Sequence, residues 1–395
     1  MEKRKDLKGR ILNNGESQRK DGRYTYKYTD TFGKVHFIYS WKLTATDKVP
    51  KGKRDGMSLL EKEERIQKDI LDGIDSHGKK INLCELYGKQ NANRANVKKS
   101  TVISRKTLME VLKEDSLGGR YIDSIKPSDA KKWAVRMKEK GYAYKTISNF
   151  KRSLKAAFYI AIQDDYVRKN PFDFKLSDVI SDDSKIKKPL TEDEEKRLLA
   201  FAETDKVYRQ YYDVLVILLN TGVRISELCG LTIHDLDFEK RRINIDHQLL
   251  KDMEHGFYID TPKSKSGVRQ IPMNKPAYEA LQRVINQYDC TNPAVIDGYS
   301  GFLFRTKQGG FTTCQYYVSA FKRLVKKYNK RHDDKLPHFT PHILRHTFCT
   351  RLANRNMNPK SLQYIMGHSS IEITLNLYTH ASIEGIQEEM ERLAV

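Results

Sequence analysis

The sequence predicts a multidomain α+β protein: a small β-sheet-plus-helix domain, then a helical domain, then a mixed, mainly helical domain with a small antiparallel sheet. Three observations predict it. The chain of 395 residues is too long for one ordinary core, and at about 150 residues per domain it holds roughly two to three. Strand-like runs are confined to residues 23–42 and to three short segments between 241 and 273, while helical periodicity covers most of the rest. A hydrophobic fraction of 38%, with 22 Tyr and 15 Phe, supplies enough apolar surface for folded cores rather than wholesale disorder.

Residues 23–42 read RYTYKYTD, TFGK and VHFIYSWK, two runs rich in Tyr, Val, Ile and Phe around a glycine-containing turn, which is a β-hairpin signature. The preceding GRILNN is a candidate third strand. From Ser58 the pattern changes: Ser58 and Glu61 fit a capping box, and Leu59, Ile66, Ile70 and Ile74 recur at helical spacing. The first domain is expected over residues 1–77 as a three-stranded sheet plus helix.

Residues 80–175 lack alternation and carry amphipathic patterns at Thr101 to Lys113, Ser128 to Lys140 and Thr146 to Gln163. Ala156, Ala157, Phe158, Ile160 and Ala161 look like core, while YKTISNFKRSLK is notably basic. For any one of those cations a solvated face is the plainer reading. Asn170 and Pro171 stop the pattern, and the polar stretch that follows marks a linker over 176–189. The last domain, 190–395, opens on a second capping box, Thr191 with Glu194, and runs through a helix near YYDVLVILLNTG and short strands at RRINIDH, FYIDTPK and VRQIPM.

Lys and Arg number 72 against 51 acids, a formal net charge of +21 that suits a polyanionic partner. Nucleic acid leads. A membrane surface is disfavoured, since no long uncharged apolar run and no basic amphipathic helix beside one is present. The opening MEKRKDLKGR has no secretory character, so a cytoplasmic protein is expected. Five scattered cysteines show neither zinc nor disulfide spacing and read as reduced, so no metal or cofactor is expected.

Five segments of the last domain carry residue types with one shared use. In NTGVRISELCGL, Arg224 follows a turn and Glu227 lies one helical turn on; alone, this is most often a structural ion pair. TPKSKSGVRQIP reads as a turn between two strands with Lys265 at its tip, ordinarily a solvated position but also that of a mobile cation or proton donor. If PHILRHTFCT is helical, His342 and Arg345 share a face and reach one anion together. His342 and His346 have the spacing of a zinc pair. The acidic partner of a metalloprotease helix is missing, however, and Arg345 between them opposes a cation, which favours phosphate. YIMGHSS supplies His368 and TLNLYTHAS supplies Tyr378. Two arginines, two histidines, a lysine and a tyrosine together are what phosphoryl transfer without metal requires.

The motifs TGVRISEL, HILRHTFCT, MGHSS and LNLYTH, in this order, resemble the catalytic domain of tyrosine recombinases, the phage-type integrase group. The preceding helical domain matches that family's core-binding domain. The N-terminal domain is similar to the arm-binding domain of integrases from conjugative transposons of Gram-positive bacteria. The resemblance implies Arg224 and Arg345 as the clamp on a scissile phosphate, aided by His342 and His368, with Tyr378 as nucleophile. It also implies Lys265 as the donor to the departing 5′ hydroxyl, with Lys263 and Arg269 near enough to compete. His342 is then the acceptor for the tyrosine proton and Glu227 a supporting acid.

The implied partners are double-stranded DNA at core and arm sites, three further copies of the chain in a tetramer, an excisionase and a host DNA-bending protein. Arg19, Lys20, Arg23, Tyr26 and Lys27 are candidates for an arm-DNA face, and Lys145, Lys151 and Arg152 for core DNA. Ile383, Ile386, Met390 and Leu393 form an apolar stripe on an expected C-terminal helix, which packs either on its own domain or on a neighbouring protomer. A DNA-binding regulator without activity is the rival reading, and a type IB topoisomerase or telomere resolvase is the rival enzyme.

Overall fold

The computed structural model describes residues 4–29, 33–71, 81–94, 97–184, 188–252, 256–262, 265–288, 294–378 and 390–391. The chain divides into two compact units, Met1–Lys185 and Ile186–Val395.

The first unit begins with β1 (Glu16–Gln18), β2 (Tyr24–Thr29) and β3 (Val35–Ser40), an antiparallel sheet in that order. The outer strand is therefore not GRILNN but the residues just after it. Leu12 turns into the core, and Ile11 makes only an isolated bridge to Lys5. Helix α1 (Leu59–Leu71) opens on the predicted box: Ser58 N donates to Glu61 Oε2 at 2.8 Å and Glu61 N donates to Ser58 Oγ at 3.3 Å. Tyr24, Tyr26 and Tyr28 of β2 face α1 and bury with Leu12, Leu43, Leu59 and Ile66.

A second core in this unit gathers α2 (Leu83–Ala92), α3 (Lys99–Glu114), α4 (Pro127–Glu139) and α5 (Tyr144–Gln163) around Trp133, Phe158 and Phe172. Helix α2 is not among the predicted helices; its weak amphipathicity hides it, although Asn82 caps it with a reciprocal bond from Glu85. Ala157, Phe158 and Ala161 are fully buried, as their spacing predicts, and Ala156 and Ile160 are half-buried. Leu176 and Ile180, within the stretch read as linker, also join this core.

In the second unit α6 (Glu192–Thr204) starts on the Thr191–Glu194 box, and α7 (Tyr212–Thr221) is the central, mostly apolar helix, packed on by α9 (Lys275–Asn286) and α11 (Pro341–Asn354). Between α7 and α9 come α8 (Ile225–Gly230), β4 (Leu236–Asp237), β5 (Arg242–Ile245), β6 (Gln248–Asp252), β7 (Gly256–Asp260) and β8 (Arg269–Pro272). Helices α10 (Cys314–Arg331), α12 (Pro359–Met366) and α13 (Ile371–Leu375) complete it.

The strands form two separate sheets, β4-β5-β8 and β6-β7. β7 and β8 thus belong to different sheets and do not form the hairpin predicted around Lys265, because β7 pairs back on β6 while β8 pairs on β5. The expected C-terminal helix lies outside the described residues apart from Met390 and Glu391, as do Ile74, Lys263 and Cys290. The other four cysteines carry free thiols. No helix among the described residues is long and apolar enough to cross a membrane.

Candidate active site

The site is built on the ends of three helices. Gly222 terminates α7 with φ +62°, a left-handed turn closed to other residues in any case because a Cβ there would meet Phe348 Cδ1 at 2.4 Å. The chain leaves that turn directly into Arg224, the N-cap of α8. Gly367 ends α12 in the same way, at φ +58°.

Arg345, one turn into α11, is 3% exposed and donates through Nη1 to Gly222 O at 2.5 Å and through Nη2 to Met366 O. A buried guanidinium is thus held by carbonyls at the C-terminal ends of two helices, where backbone dipoles favour a cation. Carbonyls carry no net charge, so Arg345 keeps its full positive charge for another partner.

Arg224 donates through its backbone N to Glu227 Oε2 at 2.8 Å, through Nη1 to Oε1 at 2.7 Å and through Nη2 to Gly367 O at 3.0 Å, with 38% of its side chain exposed. Glu227 also receives two bonds from Arg269, Nη1 to Oε1 at 3.1 Å and Nη2 to Oε2 at 2.8 Å. Burial by itself would raise the Glu227 carboxyl; the bonds from Arg269 and the field of Arg224 and Arg345 reverse that and lower it to about 2.

Two guanidiniums, Arg224 and Arg269, are therefore bonded to one carboxylate, and the third, Arg345, acts on it only through its field. Burial, reinforced by Arg224 and Arg269, pulls Arg345 down to about 9. His368 follows Gly367, contacts Thr374 Oγ1 through Nδ1 at 3.0 Å, and is lowered to about 4 by burial and by the same three arginines. At neutral pH its imidazole is uncharged. The cluster has an excess of positive charge under mutual strain, which an anion relieves.

Of the other predicted residues, His342 is exposed in the first turn of α11, one turn before Arg345, and its field reaches His368. Lys265 is exposed at the start of a 3₁₀ turn, Lys265–Gly267. That turn approaches the pocket closely: Ser266 O would lie 2.9 Å from a Cβ on Gly367. Tyr378 is half-buried after α13 among Phe348, Cys349 and Met366, and its hydroxyl donates to Met357 O; burial raises it above the usual phenol range. Structure thus brings Arg224, Glu227, Arg345 and His368 into one hydrogen-bonded or electrostatic set, with Lys265 and His342 at its rim and the Tyr378 hydroxyl committed elsewhere.

The description "Phage integrase family" matches residues 188–384, and "DNA binding domain of tn916 integrase" matches residues 1–70. The transposase from transposon Tn1545 of Streptococcus pneumoniae is 62% identical over 392 residues, 99% of this chain and 97% of that protein. The chain belongs to the phage integrase family. The transposase from Tn916 of Enterococcus faecalis is 61% identical over the same share of each chain. A solved Tn1549 transposon integrase in complex with a circular intermediate DNA superposes with a TM-score of 0.77 at 58% identity, covering 80% of this chain and all of that one.

Away from the arginine pocket, the basic residues predicted in the first unit of this integrase-family chain sort by burial. Arg19, Lys20 and Lys27 are exposed and Arg23 is half-buried. Tyr26 is a core residue, a correction with a simple cause: it shares the inward phase of β2 with Tyr24 and Tyr28. The outward phase holds Lys27 opposite Phe37 and continues to Tyr39, both exposed apolar rings that sequence reasoning assigned only to a strand. Arg19 and Arg23 lie over the Tyr39 ring at 5.5 and 5.6 Å, and Arg23 and Lys53 over Trp41 at 5.6 and 5.2 Å. On α5, Lys145 and Arg152 are exposed. Lys151 is half-buried 4.6 Å over Phe174, and burial lowers it.

Among the described residues, Asp235, Asp246 and His247 are the one group spaced to hold a metal. Their donor set does not fit one. His247 Nδ1 faces Asp246 Oδ1 at 2.5 Å, Nε2 faces Gly230 O at 2.7 Å, and Asp235 Oδ2 takes two bonds from Thr232. With these donor atoms already bonded within the protein, the trio ties the end of α8 to the β5–β6 corner. Arg269 stands out in the sequence only as a rival to Lys265. Its inward phase on β8, shared with Ile271, is the available signal that it is buried.

Proposed function

We propose that this chain is a site-specific DNA recombinase that integrates and excises a mobile element, with Tyr378 as nucleophile and Arg224, Arg345 and His368 as the phosphate pocket. The observation that carries it is three buried or half-buried guanidiniums clustered beside a neutral imidazole, two of them bonded to a single carboxylate and the third held only by backbone carbonyls. A phosphodiester oxygen completes that charge balance, and fixed paired donors suit the charge that grows on non-bridging oxygens in the transition state.

In this scheme Tyr378 leaves the Met357 carbonyl, passes its proton to His342 and attacks phosphorus. The new bond is a 3′-phosphotyrosine; the bond broken is P–O5′, and O5′ takes a proton from Lys265. A 5′ hydroxyl from a partner duplex reverses these steps, so strands are exchanged without ATP and without metal. Residues 190–395 would be the catalytic domain, 80–175 the core-binding domain, 176–189 the linker and 1–77 the arm-binding domain. Four copies would act together with an excisionase and a DNA-bending host protein, in the bacterial cytoplasm. The complexes of the Tn1549 integrase with transposon DNA support DNA as the substrate.

The test is denaturing gel analysis of wild type and Tyr378→Phe incubated with a nicked duplex of the element's joined ends. A protein–DNA adduct from wild type alone is expected. Binding without an adduct from either protein would favour the inactive regulator, and an adduct from both would misassign the nucleophile.

A further inference from the structure

We infer that Arg269 is a positioning residue for strand cleavage, locking the turn that carries Lys265 onto the floor of the arginine pocket. The inference rests on the proposed role of Lys265 as donor to the leaving oxygen. Arg269 opens β8 immediately after that turn, and its side chain is fully shielded from solvent. Its guanidinium reaches three segments at once: Nη1 donates to Gly267 O at 2.9 Å, Nη1 and Nη2 to Glu227, and Nε to Ile365 O at 2.6 Å. Four of five N–H directions are thus committed inside the protein, which leaves Arg269 unsuited to touching DNA and suited to holding what does.

Packing makes the lock tight. A Cβ on Gly367 would stand 2.9 Å from Ser266 O and 3.2 Å from Arg269 Cδ and Nη1, so turn, arginine and the end of α12 meet where only a glycine fits. The same Glu227 that Arg269 grips also positions Arg224. Arg269 therefore sets the distance between the proton donor and the phosphate clamp. A lysine in its place keeps one positive charge but cannot bond the carboxylate and two carbonyls together.

The consequence is a defect selective for the leaving group. If Arg269 acts through Lys265, its loss matters when the departing 5′ atom needs a proton and not when it leaves as a stable anion. Sulfur in the bridging 5′ position leaves as a thiolate without protonation, because a thiol is a far stronger acid than an alcohol.

Single-turnover cleavage by the full chain is compared on nicked joined-end duplexes carrying 5′-bridging oxygen or sulfur. Arg269→Lys is expected to lose about 100-fold on the oxygen duplex, the scale of a misplaced catalytic group, and to approach wild-type rates on the sulfur duplex. Lys265→Ala should show the same selectivity. Gly267→Ala is a second route to the turn that leaves the buried ion pair in place: its methyl would meet Pro262 Cβ at 2.3 Å and shift the turn, giving the same oxygen-selective loss even if Arg269→Lys does not fold. Equal losses on both duplexes, or none, overturn the inference. Selective loss in Lys265→Ala but in neither turn variant removes this inference alone. No adduct from wild type, or no selectivity in Lys265→Ala, removes the underlying reading and this inference with it.

Discussion

The sheet face of the first unit and the arginine pocket of the second are both positively charged, and they use charge in opposite ways. On the sheet, Arg19, Lys20 and Lys27 stand in water beside exposed Phe37 and Tyr39. In the pocket, Arg345 and Arg269 are almost fully buried and held by carbonyls and one carboxylate. Water screens the first group, so each cation would add only a small, salt-sensitive increment to the proposed affinity for DNA. The second group is desolvated and preorganised, so each donor acts strongly on charge that develops within hydrogen-bond reach. The proposed roles thereby separate binding from chemistry, and the separation can be tested.

The largest expected effect is on the buried side. Arg345→Ala and Arg224→Ala should each lower single-turnover cleavage by about two to three orders of magnitude, the cost of removing a preorganised donor. Duplex binding in a gel-shift assay should change little. Loss of binding in step with cleavage would mean that the pocket also supplies affinity, and the contrast with the sheet would collapse.

Next come the exposed cations of α5. Replacing Lys145 or Arg152 by Ala should reduce the slope of log affinity against log salt by about 0.9 for each phosphate that the variant no longer neutralises. Cleavage at saturating protein should stay unchanged. An unaltered slope would leave these residues as the solvated face that is the plainer reading of any basic helix.

Smaller still is the aromatic platform. Tyr39→Leu removes the ring beneath Arg19 and Arg23, and at an exposed site this should weaken arm-duplex binding by about 0.5 to 1 kcal/mol, measurable by titration of the isolated arm sequence. An effect on core-duplex cleavage in the absence of arm DNA would contradict the division of labour.

A separate effect, on folding stability rather than on DNA, concerns pH. Glu63 on α1 is buried beside the Glu16 carboxylate; burial first, then Glu16, push it up to about 7 from its ordinary 4.5. Asn13 donates to Glu16 through N at 2.7 Å and Gln67 to Glu63 Oε1 at 3.2 Å, while Tyr26 adjoins Glu63; none brings a positive charge. The folded state therefore holds a proton that the unfolded state releases, and stability present at acidic pH is lost as pH rises from 4.5 through about 7. Amide exchange in β1 and α1 should quicken over that window. Glu63→Gln should flatten the response, and a pH dependence that survives this change would point to another group.

Sequence by itself determined the character of most segments, and it named the residues that the structure gathers in the arginine pocket. Capping boxes at Ser58 and Thr191 marked helix starts, because a side chain three residues from an N-cap satisfies backbone groups without help from the rest of the chain. Arg224, Arg345 and His368, which the structure brings together, could be singled out in the sequence because fixed cations and an imidazole are residue types suited to holding a phosphate.

Tertiary structure decided the rest, for reasons of distance and phase. Whether β7 and β8 form a hairpin depends on which strand β7 finds, and it found β6. Whether Tyr26 reads DNA or fills a core depends on which side of β2 the helix covers. Arg345 became a buried cation without a carboxylate of its own because two glycine-ended helices bring their carbonyls to it from 123 and 21 residues away. Arg269 became the tie among three segments for the same reason: a guanidinium's partners are chosen by packing, and packing joins residues that sequence keeps apart.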